Sequence, residues 1–222
     1  MPKSVLIVVA HTDDEALGCG GTIARHVAEG DAVYAVFMAD GVTSRQDSQP
    51  EDLKNRMEAA SKAHKILGIQ EIFYLGLPDN RMDSVPLLDV VQQLETIIQK
   101  VSPEVIYTHY HGDLNIDHRI THQAVVTACR PLPGSSVREI YGFELLSSTE
   151  WATPQLDSFV PDFFTDISDF MEVKLEALKA YQLEMREPPH SRSIEHAKHL
   201  AHHRGHSVGV TAAEAFSVIR II

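Results

Sequence analysis

His11, Asp13, Asp14 and Glu15 fall within five residues, with only Thr12 between the imidazole and the acids. Carboxylates crowded this closely repel one another and resist desolvation, so a positive partner is expected beside them, and a divalent cation is the simplest. A second polar group, His109-Tyr110-His111-Gly112-Asp113-Leu114-Asn115-Ile116-Asp117-His118-Arg119, lies far downstream. Imidazoles from His11 and His118 with the carboxylate of Asp14 make a two-His, one-carboxylate set. Three such protein ligands with an open fourth position are how a catalytic zinc is held. With more open positions the same set suits ferrous iron, so residue types alone do not choose the metal. Asp13 adjoins a ligand yet is aimed differently, which makes it the natural general base for a metal-activated water. Asp117, beside His118, is placed to fix an imidazole tautomer.

The elements that must position these groups are legible in the hydropathy pattern. The apolar run from Val5 to Ala10 reads as a strand buried on both faces. A helix follows from Glu15 to about Glu29, stopped by Gly30, with Gly18-Cys19-Gly20-Gly21 near its start. The third glycine is wrongly spaced for a dinucleotide fingerprint, and the acids before it would repel a pyrophosphate. Further strands are predicted at Ala32–Met38, Glu71–Leu75, Glu104–Thr108 and around Val137–Phe143. Helices are predicted at Glu51–Leu67, Val85–Val101 and Ile120–Cys129, and the polar stretch from Val42 to Pro50 is a loop. Strand and helix alternating in this way predict an α/β fold, a mostly parallel sheet with helices on both faces.

Beyond Trp151 the pattern loosens. A strand within Phe159–Thr165 is followed by a helix over Ser168–Tyr181, with Glu172, Lys174, Glu176 and Lys179 outside, and by a second helix over Ser191–His203. The chain therefore reads as one domain over 1–222. Its core spans about 1–145, and a small C-terminal extension over about 146–222 completes the pocket. Ligands in open parallel sheets bind outside the carboxyl ends of the strands. The ends at His11–Glu15, Asp40-Gly41, Asp79–Arg81 and His109–Arg119 should thus share one rim. Each residue alone has a plainer role: a solvated histidine, an acid favouring a helix start, a turn with an N-cap. Jointly, at the ends of two parallel strands, they read as a site.

The 222 residues carry 31 acidic against 19 basic side chains, a formal net charge of -12, which argues against nonspecific nucleic-acid binding and against an anionic membrane surface. Cys19 and Cys129 match no pairing motif and read as free cytosolic thiols. Met1-Pro2-Lys3-Ser4 enters a strand with no charged leader, and no stretch reaches transmembrane length, so a cytoplasmic protein is expected. His190, His196, His199, His202, His203 and His206 crowd the last third. His199 and His203 share a helix face, but no acid completes a zincin motif, so that helix reads as solvated. Apolar residues around Trp151 to Phe164 suit either a homo-oligomer interface or packing on the domain itself.

His11-Thr12-Asp13-Asp14-Glu15 and Asn115-Ile116-Asp117-His118 resemble the two signature motifs of the PIG-L/LmbE-like zinc-dependent N-deacetylases. Arg204-Gly205 and Ala213-Glu214-Ala215-Phe216 resemble the family's closing segment, so the similarity spans the chain. The resemblance implies a Rossmann-like sheet, zinc on His11, Asp14 and His118, Asp13 as base, and removal of an acetyl group from an N-acetylated sugar of the GlcNAc type. Two departures stand out. Thr12 replaces a usual proline, which loosens the turn but removes no ligand. Asn115 stands where many members carry a histidine that helps stabilise the oxyanion. An amide can donate a hydrogen bond but cannot act as a protonated acid, which leaves His111 or His206 to supply one.

Arg45, Asp79 and Arg192 are the candidate substrate contacts, the two arginines also suiting a phosphate or carboxylate on the substrate. A small-molecule, lipid-linked or glycan-linked N-acetyl sugar fits this reading equally well. Two alternatives stay open: hydrolysis of another small amide or carbamoyl group by the same metal, and a non-catalytic sugar-nucleotide-binding module on the same rim.

Overall fold

The computed structural model describes residues 2–47, 49–153 and 157–222. Five strands, β1 (Ser4–Val9), β2 (Ala32–Ala39), β3 (Glu71–Leu77), β4 (Val105–His109) and β5 (Glu139–Phe143), run parallel. Two more, β6 (Phe163–Asp166) and β7 (Ala213–Ile221), complete a mixed sheet in the order β3-β2-β1-β4-β5-β7-β6. β7 is antiparallel to both β5 and β6. The strand order reverses between β1 and β4, whose Val5 and Val105 are in register, so their carboxyl ends emerge side by side. That crevice is where an open α/β sheet binds its ligand.

Among the described residues six α-helices cover the sheet: α1 (Asp14–Ala28), α2 (Pro50–Leu67), α3 (Leu87–Val101), α4 (Ile116–Ala128), α5 (Met171–Ala180) and α6 (Ile194–Ser207). Successive strand residues point to opposite faces. Val5, Ile7 and Val9 accordingly pack with α1, α2, α5 and α6, while Leu6 and Val8 pack with α3 and α4. All five are fully buried, and each contributes on the order of 1.5–3 kcal/mol by leaving water. Gly68 ends α2 in the left-handed region at φ 78, a conformation that costs glycine nothing. No described helix is long and apolar enough to cross a membrane.

The alternation, the parallel core and the helices on both faces match the expectation from sequence, and three elements differ. α4 begins at Ile116 instead of Ile120, because Asn115 caps it by accepting the Asp117 N–H at 2.8 Å, so His118 sits in a first helical turn. Ala213–Ile221, which carried no strand prediction, is the longest strand. Lys174, expected on the outer face of α5, is 4% exposed, because Glu214 of β7 meets its ammonium group inside the protein at 2.5 Å. Cys19 and Cys129 are free and buried. The expected apolar surface around Trp151 to Phe164 falls partly on 154–156, and the expected loop over Val42–Pro50 partly on 48; these positions lie outside the described residues. Of the rest, Trp151 and Val160 are exposed.

Candidate metal centre

β1 runs into a tight turn whose residues His11 to Glu15 are all buried. Asp13 sits there with φ 111, a left-handed conformation that a non-glycine residue holds only when its surroundings impose it. The Asp13 N–H donates to Glu15 Oε2 at 3.0 Å, and Glu15 in turn accepts the Tyr181 hydroxyl at 2.7 Å. Arg56 reaches one carboxylate oxygen of Asp13 and Arg192 the other, each at 2.9 Å. Burial pushes the Asp13 carboxyl up to about 6 against the pull of these two guanidinium groups. Arg56 also donates to the Thr12 hydroxyl at 2.7 Å and to the Thr12 carbonyl. This side-chain tie holds the turn where the resembling family has a proline ring.

Three ligand-type side chains converge above this turn. His11 Nδ1 and His118 Nε2 each lie 3.5 Å from Asp14 Oδ2. The three groups offer ligand atoms all within 4.8 Å of one another. Their far sides are tied down. His11 Nε2 meets Asp117 Oδ2 at 3.1 Å and Asp79 Oδ1 at 3.2 Å, while His118 Nδ1 meets Asp113 Oδ1 at 3.0 Å. With the outer nitrogens turned towards these carboxylates, His11 Nδ1 and His118 Nε2 are the ring atoms that face Asp14. Two imidazole nitrogens and a carboxylate aimed at one point fit a zinc or ferrous ion by donor chemistry. Burial opposes charge on the His11 ring, yet Asp117, Asp14 and Asp79 hold its pKa well above the ordinary histidine value. Burial likewise opposes the Asp14 charge, but His118, His109 and His11 hold its carboxyl well below the usual range.

The second layer differs from expectation in its assignments. Asp117 fixes His11 rather than His118, because adjacent residues of α4 point in different directions around the helix. Both Asp117 oxygens also accept backbone N–H groups, from Asn80 at 2.7 Å and Met82 at 3.0 Å. His118 is oriented by Asp113, whose carboxylate also takes the hydroxyls of Ser148 and, at 2.6 Å, Thr149. Burial opposes the Asp113 charge, but His118 and these hydroxyls hold its carboxyl well below the ordinary range. His109 lies flat on His118, ring centroids 3.9 Å apart and planes 10° apart. Its Nε2 accepts the Ala10 N–H at 2.9 Å, and burial beside His118 pushes its pKa down to about 4, so it buttresses the site as a neutral ring.

The converging groups open into a cavity of about 610 Å³ lined by His11, Asp13, Asp14, Asp79, Asn115 and His118 together with Arg45, Arg192 and Glu184. Three separated stretches, the β1 end, the start of α4 and the C-terminal third, thus meet as the topology predicts. Arg45 is paired with Glu184 at 2.8 Å, and Asp79 is turned to His11 and the Ser44 N–H. Asn115 spends its carbonyl oxygen on the helix cap and donates from Nδ2 to Asn80 Oδ1 at 3.2 Å. His111 and His206 do not line the cavity: His111 pairs with Asp157 on the surface, and His206 is exposed on α6. Sequence reading missed Arg56 and Glu184, and it placed His109 and Asp113 on the rim without giving either a role of its own. Arg56 left a signal, an arginine on the buried stripe Arg56-Ala60-Ala63-Leu67 of α2, whereas Glu184 left none.

The family description "PIG-L: GlcNAc-PI de-N-acetylase" matches residues 6–129. An uncharacterized deacetylase, YaiS, of Escherichia coli (strain K12) is 33% identical over 186 residues, covering 81% of this chain and 91% of that protein. A probable N-acetyl-alpha-D-glucosaminyl L-malate deacetylase 2 of Bacillus cereus is 30% identical over 193 residues, covering 82% and 84%. The crystal structure of the conserved protein TT1542 from Thermus thermophilus superposes with a TM-score of 0.79 at 24% identity, covering 99% of this chain and 96% of that one, a likeness of fold.

Proposed function

The chain belongs to the PIG-L family, and on that premise we propose that it is a metal-dependent hydrolase that removes the acetyl group from an N-acetylated sugar of the GlcNAc type. The observation that carries this reading is the convergence of His11 Nδ1 and His118 Nε2 on Asp14 Oδ2, beside the Asp13 carboxylate in a polar cavity. We take zinc as the resident ion, with ferrous iron as the alternative its ligands also suit. A divalent cation held by His11, Asp14 and His118 polarises an acyl carbonyl and acidifies water.

The protein's own groups divide the rest of the work. Arg56 occupies Asp13 Oδ1 from the buried side, so Oδ2, shared with the more exposed Arg192, is the atom open to the cavity. As water adds to the acetyl carbon its proton passes to Asp13. When the C–N bond breaks, Asp13 returns a proton to the departing nitrogen, giving acetate and a free amine. Asn115 Nδ2 has a second hydrogen beyond its bond to Asn80, available to a substrate oxygen. A cavity lined by polar side chains suits sugar hydroxyls, and Arg45 and Arg192 are among the lining residues that could contact the substrate. Both arginines already face carboxylates, which favours an uncharged ring over a phosphate at the reacting end.

The direct test is release of acetate and free amine from N-acetylglucosamine conjugates by purified protein, first stripped with chelator and then reloaded with zinc or ferrous iron. Activity that vanishes on stripping and returns on reloading is the expected result. No acetate from any N-acetyl sugar by the metal-loaded protein sinks the reading.

A further inference from the structure

α1 is not continuous. Cys19 has φ -146 and ψ 25, which divides the helix into a first run over 14–18 and a second over 20–28. Such a break strips backbone C=O groups on one side and N–H groups on the other of their partners one turn away. All of these groups are buried here, so each needs another partner. One side-chain pair supplies partners on both sides of the break. Glu214 on β7 accepts the N–H of Gly21 at 2.9 Å and of Thr22 at 2.7 Å, as an N-cap would for the second run. Lys174 on α5 donates to the Leu17 carbonyl at 2.8 Å, closing the first run, and to Glu214 Oε1 at 2.5 Å.

The glycines around the break let neighbouring apolar side chains pack directly on the helix backbone. A Cβ on Gly18 would lie 2.3 Å from the Phe143 ring, and one on Gly21 2.8 Å from Ile167. Lys174 and Glu214 are each 4% exposed. Well-packed apolar residues generally hold a core as firmly as a buried ion pair, so stability alone is a weak reason for this one. Its bonds have direction: they set the angle at which the first run leaves the second. That first run carries Asp14, and Asp13 precedes it directly.

We propose that Lys174 and Glu214 are positioning residues of the metal centre, fixing the first turn of α1 and through it the placement of Asp14 against His11 and His118. The inference rests on the reading of those three residues as a cation site.

The experiment uses the full chain with Glu214→Gln and, as a milder change that keeps the carboxylate on Gly21 and Thr22, Lys174→Met. Leu94→Ala, which opens the core on the other face of the sheet, serves as a control for lost stability. Zinc affinity is read by chelator competition, kcat and KM on an N-acetyl sugar, and hydrogen exchange of the 11–22 segment on metal-free protein. Glu214→Gln is expected to weaken zinc binding by ~10-fold or more, as loss of outer-shell support does, and to lower kcat with KM little changed. It should also speed exchange in 11–22 beyond the rest of the chain. Lys174→Met should do the same to a smaller degree, and Leu94→Ala should lower Tm while leaving zinc affinity as in the unaltered protein.

Either pair variant with unaltered zinc affinity and local exchange overturns the proposal, as does a change confined to KM. If Glu214→Gln does not fold, Lys174→Met decides. Failure of the unaltered protein to bind any divalent metal overturns the cation-site reading itself. The exchange result on metal-free protein still reports separately whether the pair holds the break.

Discussion

α1 ends, on both sides, in a trio of residues able to hold a cation, and the two ends have opposite characters. His11, Asp14 and His118 gather at its N-terminal end; His26, Glu29 and Asp31 gather at its C-terminal end, and each trio brings three ligand atoms within 4.8 Å of one another. At the C-terminal end every group is already engaged. His26 meets Asp31 at 2.7 Å and the Tyr107 hydroxyl at 3.0 Å, Glu29 is paired with Arg25, and Asp31 also takes the Lys3 N–H. At the N-terminal end the outer faces of the two rings are tied to carboxylates, and the inner nitrogens both face Asp14 Oδ2 at 3.5 Å on the cavity side. Proximity of ligand types is therefore a poor criterion for a metal centre. What distinguishes the N-terminal trio is that two ring nitrogens, held by partners on their far side, converge on one carboxylate beside a cavity.

The largest expected effect tests the group that adjoins the N-terminal trio without belonging to it. Asp13→Asn should lower kcat by ~10²–10⁴-fold while zinc stays bound, measured by acetate release and metal content. An active Asp13→Asn protein would remove the base from the scheme. Asp113→Asn, which loosens the far side of His118, should cost ~10–100-fold in zinc affinity by competition titration, because the freed ring loses its orientation. If affinity is unchanged, far-side engagement is not what separates the two trios.

His26→Gln should destabilise the fold by about 1 kcal/mol in urea titrations, the size of a lost hydrogen bond, with metal stoichiometry unaltered. The same end should show a pH signature. Burial raises the Asp31 carboxyl, but the Lys3 N–H and His26 outweigh it and hold the carboxyl below its ordinary value. A depressed carboxylate stabilises above its unfolded pKa. That contribution should be present at neutral pH and fade as pH falls below about 4, and Asp31→Asn should flatten this part of the stability curve. The smallest effect belongs to α6. Replacing exposed His199 and His203 with alanine should shift stability within about 0.5 kcal/mol and leave zinc content unchanged.

The parallel core could be read directly because β1, β2 and β4 are apolar runs buried on both faces, and the rim followed from topology. β7 escaped because it carries Glu214 and Arg220 among its apolar residues and owes its place to pairing with distant β5 and β6. Lys174 escaped for the same reason: only the arrival of Glu214 makes its burial tolerable. Within the site, His11, Asp13, Asp14 and His118 were visible as chemistry-bearing types in a telling pattern. The exchange of roles between Asp117 and Asp113 was not, since it depends on where α4 starts, and a single cap at Asn115 decides that.

The strand order has a consequence for the birth of the protein. A chain emerging from the ribosome holds all three candidate ligands once residue 118 is out, with β1, β2, β3 and β4 able to pair among themselves. Yet β6 has no neighbour but β7, and Glu214 arrives only with that strand. Long-range pairings of this kind form late, because closing the loop costs chain entropy before any contact repays it. On the proposal that Glu214 fixes the first run of α1, the candidate cation site is completed only when β7 docks, and a nascent chain released early should expose an unfinished edge at β5.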